Sequence, residues 1–104
     1  MTVAAVMTDA EVSGALPGEF RLKQNYPNPF NPSTTIQFSI PKASHVVIRI
    51  YNGLGHLVQN LVDESLPPGT HARQWIASQM PSGVYFCRIQ AGGFVDTKRL
   101  VLTK

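Results

Sequence analysis

Residues Thr34–Gly55 read TTIQFSIPKASHVVIRIYNGLG, and the alternation in this stretch decides the fold. In its first half Ile36, Phe38 and Ile40 fall on one side of an extended chain, with Thr35, Gln37 and Ser39 on the other. Pro41 stops the ladder because it has no N–H to donate. The second half repeats the pattern, with Val46, Ile48 and Ile50 opposite Val47, Arg49 and Tyr51. Side chains alternate across a strand, so each half predicts a strand burying one face. Asn52-Gly53 and Gly55 offer the positive-φ positions of a tight hairpin, which predicts that HLVQNLVDE, starting at His56, returns antiparallel to the strand before it.

Working outward, Pro67-Pro68-Gly69 marks a turn, THARQWIA a further strand and Met80-Pro81-Ser82-Gly83 another turn. GVYFCRIQA and FVDTKRLVLTK, separated by Gly92-Gly93, predict a final hairpin, and FRLKQ from Phe20 an initial strand. No segment carries a helical period. About seven strands with frequent turns predict an all-β fold, an immunoglobulin-like antiparallel β-sandwich, because parallel sheets need long crossovers. Residues 1–19 mix small, acidic and turn-forming types and read as a flexible tether, leaving 20–104 as the folded domain.

Between the first two strands lies NYPNPFNPSTT, Asn25–Thr35. Pro27, Pro29 and Pro32 cannot donate to a ladder and hold Tyr26, Asn28 and Asn31 extended, so the stretch predicts a rigid ribbon that does not pair. The side chains of Asn25, Asn28 and Asn31 are suited to capping backbone groups left over. Tyr26 and Phe30 are expected to anchor the ribbon across the mouth of the sandwich, with Tyr26-Pro27 a candidate cis bond.

Composition limits what such a domain can do. The 104 residues, 43% hydrophobic, suffice for one core burying ~65% of the unfolded surface, and not for a deep cleft between lobes. No apolar run approaches the roughly 18 residues of a membrane-spanning helix. The start, with Val3–Met7 as its only apolar stretch and Asp9 and Glu11 soon after, makes a poor signal peptide. All nine Lys and Arg lie at or after Arg21, against three acids beyond Phe20 (Asp63, Glu64 and Asp96), giving that body a balance of +6. No tight basic cluster occurs in the sequence, so the cations read as charges that keep sheet faces and edges hydrated, and no nucleic-acid partner is expected.

Catalytic and metal chemistry find little support, and no cofactor is expected. Cys87 is the single cysteine, shares parity with Tyr85 and Ile89, and is expected in the core as a small hydrophobe. His45, His56 and His71 lack metal-site spacing; His45 and His56 flank a predicted hairpin and could face each other, but without a carboxylate they make an incomplete zinc site. Asp63 and Glu64 are adjacent, so they alternate across a strand and cannot form a glycosidase pair. Trp75, Tyr51 and Tyr85 would suit a sugar-binding platform only if exposed on one face, and Trp75 is placed like a core residue.

QNYPNPFNPSTTIQFSIP, VVIRIYNGLGHLV, PSGVYFCRI and TKRLVLTK, in this order from Leu16 to Lys104, resemble the type A C-terminal sorting domain of the type IX secretion system of Bacteroidetes. The resemblance places the family's first block on Asn25, Tyr26, Pro27, Asn28, Pro29, Phe30, Asn31 and Pro32. The middle block falls on Ile50, Tyr51, Asn52 and Gly55, and the last on Gly83, Tyr85, Lys98, Arg99 and Lys104. It implies an immunoglobulin-like module at the C-terminus of a larger cargo protein, destined for secretion or the cell surface. The implied partners are an outer-membrane translocon, a sortase-like peptidase and the N-terminal cargo domain. It further implies cleavage in the tether, placed around Ser13–Ala15, and a natural C-terminus at Lys104. The same blocks are similar to the immunoglobulin-like domain of flagellar hook-capping proteins, which would imply assembly contacts instead. A third expectation is a sugar-binding or cell-attachment module of a multidomain hydrolase.

Overall fold

Seven strands make up the computed structural model, which describes residues 17–104: β1 (Arg21–Leu22), β2 (Ser33–Ile40), β3 (Ser44–Asn52), β4 (Leu57–Leu66), β5 (Gly69–Ile76), β6 (Gly83–Ala91) and β7 (Phe94–Leu102). They form two sheets, ordered β1-β2-β5 and β4-β3-β6-β7, in which every neighbouring pair is antiparallel. The hairpins β3–β4 and β6–β7 are those the turn residues predicted. This is the immunoglobulin-like arrangement in which the fourth strand joins the sheet holding the last two.

The alternation sets the core. Ile36, Phe38 and Ile40 of β2, Val46, Ile48 and Ile50 of β3, and Tyr85, Cys87 and Ile89 of β6 are each at most 3% exposed. Full burial of one such aliphatic or aromatic side chain stabilises by roughly 1.5–3 kcal/mol before entropy is counted. Tyr85 closes one end of this core: its hydroxyl donates to the Pro81 carbonyl at 2.6 Å, four residues upstream and just before β6. That is the tyrosine corner of immunoglobulin-like sandwiches, a phenol near the start of the strand after the turn and two residues before the position of the cysteine, here Cys87.

Two expectations need correction. Of FRLKQ only Arg21 and Leu22 form a ladder with β2, because after one more bond, from Lys23 N to Gln37 O (3.0 Å), the chain turns toward β7. In the β3–β4 turn only Gly55 takes a positive φ, of 86°. Gly53 does not; the Asn52 carboxamide fixes the turn instead, accepting from Leu54 N and His56 N, both at 3.0 Å.

Cys87 sits in the core as expected, and burial pushes its thiol from an ordinary value of 9.0 up to about 12. The thiol stays protonated in the fold while an unfolded chain begins to release its proton near pH 8.5–9. The stability linked to it is therefore complete below that range and is lost as pH rises toward 12. Native protein at pH 8 is expected to resist a disulfide reagent that labels the urea-unfolded chain within minutes. Rapid native labelling would contradict the buried placement.

Candidate functional site

The proline ribbon binds the free edge of the last strand. Gln24 Nε2 donates to Arg99 O at 2.7 Å, and Asn28 Oδ1 accepts from Val101 N at 2.9 Å. Phe30 N donates to Val101 O at 2.9 Å, and Thr103 N donates to Phe30 O at 3.0 Å, a parallel bridge across to Leu102. On its other side Tyr26 exchanges two backbone bonds with Thr35 of β2, and Pro32 O accepts from Ala77 N. The expected non-pairing ribbon thus does pair, through the residues between its prolines, and it ties the three-stranded sheet to the four-stranded one. The bonds Tyr26-Pro27, Asn28-Pro29 and Asn31-Pro32 are all cis.

Asn25 is the polar pivot of the ribbon. It is 3% exposed, and its Nδ2 donates to Thr34 Oγ1 (2.9 Å) and Pro27 O (3.1 Å), while its Oδ1 accepts from Gln24 Nε2 (2.7 Å). Thr34, 2% exposed, donates in turn to Pro27 O at 2.8 Å. Removing one member of a buried network costs about 1–3 kcal/mol through the partners left unpaired. Asn25→Ala is expected to lower the unfolding free energy by about that much; urea denaturation measures it, and a change under ~0.5 kcal/mol would mean water replaces the carboxamide.

The two aromatics of the ribbon part company. Phe30 is 1% exposed and packs on Trp75 with ring centroids 5.6 Å apart, and Trp75 meets Tyr85 edge-on at 5.5 Å. Tyr26, expected to anchor the ribbon with Phe30, is instead 80% exposed, so its ring is free for a partner and only its backbone serves the fold. Asn31 contributes no capping bond among the described residues, unlike Asn25 and Asn28.

Most of the other motif residues converge on the same end of the sandwich. Asn52 lies opposite Tyr85 in the β3–β6 register, Gly83 opposite Leu102 and Tyr85 opposite Leu100. Lys104 is held to the β5–β6 turn, its N donating to Ser82 Oγ at 3.0 Å and its Nζ to Ser78 O at 2.7 Å. Tyr51 and Arg99 face outward on the four-stranded sheet, in register with Phe86 between them. Lys98 stands apart: it lies in a groove of about 550 Å³ between β1 and β7, 3.8 Å from Asp96. Gln24, Ser78 and Ser82 were not singled out in the sequence, since their roles depend on partners more than twenty residues away.

Among the described residues, the side chains considered for metal and sugar binding are not brought together. Among the described residues no group of three or more His, Cys, Asp or Glu could hold a metal ion. His45 does not face His56: they lie at opposite ends of β3, and His45 Nε2 meets Asp63 Oδ1 at 2.6 Å. Trp75 and Tyr85 are buried, so with Tyr51 they form no exposed platform. No helix among the described residues is long and apolar enough to cross a membrane. The cleavage position expected around Ser13–Ala15 lies outside the described residues.

No curated protein and no solved structure matches the chain. Residues 24–103 do match a family model, described as Secretion system C-terminal sorting domain, and the match starts with the ribbon and ends with the strand that the ribbon binds. The chain belongs to the family of secretion-system C-terminal sorting domains, the sorting signals of type IX secretion.

Proposed function

We propose that this module is recognised as a folded unit by an outer-membrane translocon of the type IX system and directs an N-terminal cargo domain to the cell surface or the medium. A sortase-like peptidase then cuts the tether formed by residues 1–19, with the cargo attached to the surface. The observation that carries this reading is the family match over residues 24–103 together with the convergence of the motif on one end of the sandwich. A signal read on a folded surface needs residues fixed in place yet open to a partner. Tyr26 and Lys104 meet that need: both are exposed, the Tyr26 backbone is held by two bonds to Thr35 of β2, and Lys104 is held to the β5–β6 turn through its N and Nζ.

The test fuses residues 1–104 behind a periplasm-directed fluorescent protein in a bacterium that has the type IX system. The fusion is expected at the surface or in the medium, and Tyr26→Ala with Lys104→Ala is expected to shift signal to the periplasm without unfolding the domain. Periplasmic retention of the intact fusion, while a cargo with a proven signal is exported, would overturn the reading.

A further inference from the structure

The outward face of the four-stranded sheet carries three arginines that the sequence scatters over fifty residues. Arg49 of β3 lies directly opposite Arg88 of β6. Arg99 of β7 lies opposite Phe86, diagonal to Arg88, and Phe86 lies opposite Tyr51. With strands about 4.8 Å apart and same-face neighbours about 6.7 Å apart along a strand, all three guanidinium groups rise from one small area. Ion pairs among the described residues join Arg21 to Glu19, His45 to Asp63, Arg73 to Glu64 and Lys98 to Asp96, and none involves Arg49, Arg88 or Arg99.

This arrangement works against the fold. Like charges directly opposite each other in a ladder repel, and Arg49 Nε is buried with no hydrogen-bond partner among the described residues. A face serving hydration alone would intersperse both signs; the outward positions of β3, β6 and β7 carry no carboxylate, and Asp63 of β4, opposite Val47, is paired with His45 and not with an arginine. Beside the cations the face turns apolar, with Tyr51 and Phe86 half-buried, and Leu57, opposite Tyr51, and Val84 at 54% and 38% exposed.

We propose that this face docks a protein partner presenting carboxylates beside apolar side chains. Unpaired cations call for an anionic occupant, and the apolar flank selects among anions. An anionic glycan would neutralise the arginines and leave Leu57 and Val84 in water, whereas an acidic protein segment covers both. Tyr, Phe and Arg together are also the residue types that concentrate in protein interfaces. The proposal deepens the sorting reading by assigning a face of the module to its partner, and it is tested by binding alone, so that failure to bind and failure to export remain distinct results.

The probe is a random glutamate–tyrosine copolymer titrated into the 104-residue chain, with polyglutamate and dextran sulfate alongside. The copolymer is expected to shift the Nε–Hε resonances of Arg49, Arg88 and Arg99 and to bind about tenfold tighter than polyglutamate. Arg49→Gln with Arg88→Gln should weaken it about tenfold, while the charge-matched Arg21→Gln with Arg73→Gln on the other sheet should not. Arg99→Gln, at an exposed position, gives the same test if the paired change disturbs the fold. Equal loss in the control pair, no binding at millimolar copolymer, or dextran sulfate binding as tightly through the same arginines would each overturn the proposal.

Discussion

Phe30→Ala is expected to lower the unfolding free energy by about 3–5 kcal/mol, the range for truncating a large aromatic in a core that cannot collapse around the gap. The side chain is 1% exposed and packs at a tilt on Trp75, which in turn meets Tyr85 edge-on, so the cavity opens among three rings. Its backbone also carries the bridge to Val101 and Thr103, and a loosened side chain weakens that contact between the sheets. A domain of this size has about 5–15 kcal/mol in all, so the variant should be marginally folded at 25 °C. Tyr26→Ala, four residues away in the same motif, should change stability by no more than ~0.5 kcal/mol because its ring lies in solvent. Paired urea denaturation curves check both, and similar losses for the two would contradict the division of the motif into one structural and one displayed aromatic.

That division shows where sequence reading ends in this protein. Strands β2, β3, β6 and β7 were legible because a period of two with β-branched residues is a local signal. The two hairpins were legible because turn residues act on their immediate neighbours. The ribbon's partners were not: Asn28 bonds a residue 73 positions on and Gln24 one 75 positions on, and nothing in a proline-rich stretch without period says which aromatic turns inward. For the same reason β1 reads longer than it is, since Lys23 continues the alternation while only Arg21 and Leu22 stand in the ladder with β2 and Gln24 sends its side chain to Arg99 of β7. The arginine cluster needed the β3–β6 register, a pairing between strands not consecutive in the chain.

Deletion of Arg99–Lys104 is expected to unfold the domain, with loss of its β-sheet circular dichroism and a red shift of Trp75 fluorescence. The segment holds Leu100 and Leu102, 0% and 1% exposed, and losing each costs about 2–5 kcal/mol. It also supplies the ladder partners of Gly83, Val84, Tyr85 and Phe86 and the bonds that tie Phe30 and Asn28 to β7. Together these losses match or exceed the stability a domain of this size has to lose. An export defect in that truncation would therefore follow from unfolding as readily as from a missing signal. Lys104→Ala removes one exposed contact, from Nζ to Ser78 O, and is expected to cost under ~1 kcal/mol, leaving both spectra native. If the truncated chain instead kept its spectra, β7 would be dispensable to the core, and the ribbon's bonds to it would have to serve recognition and not the fold. If it unfolds while Lys104→Ala stays native yet is not exported, the terminal lysine is read by the partner directly, and the end of β7 both completes the sandwich and carries a contact point.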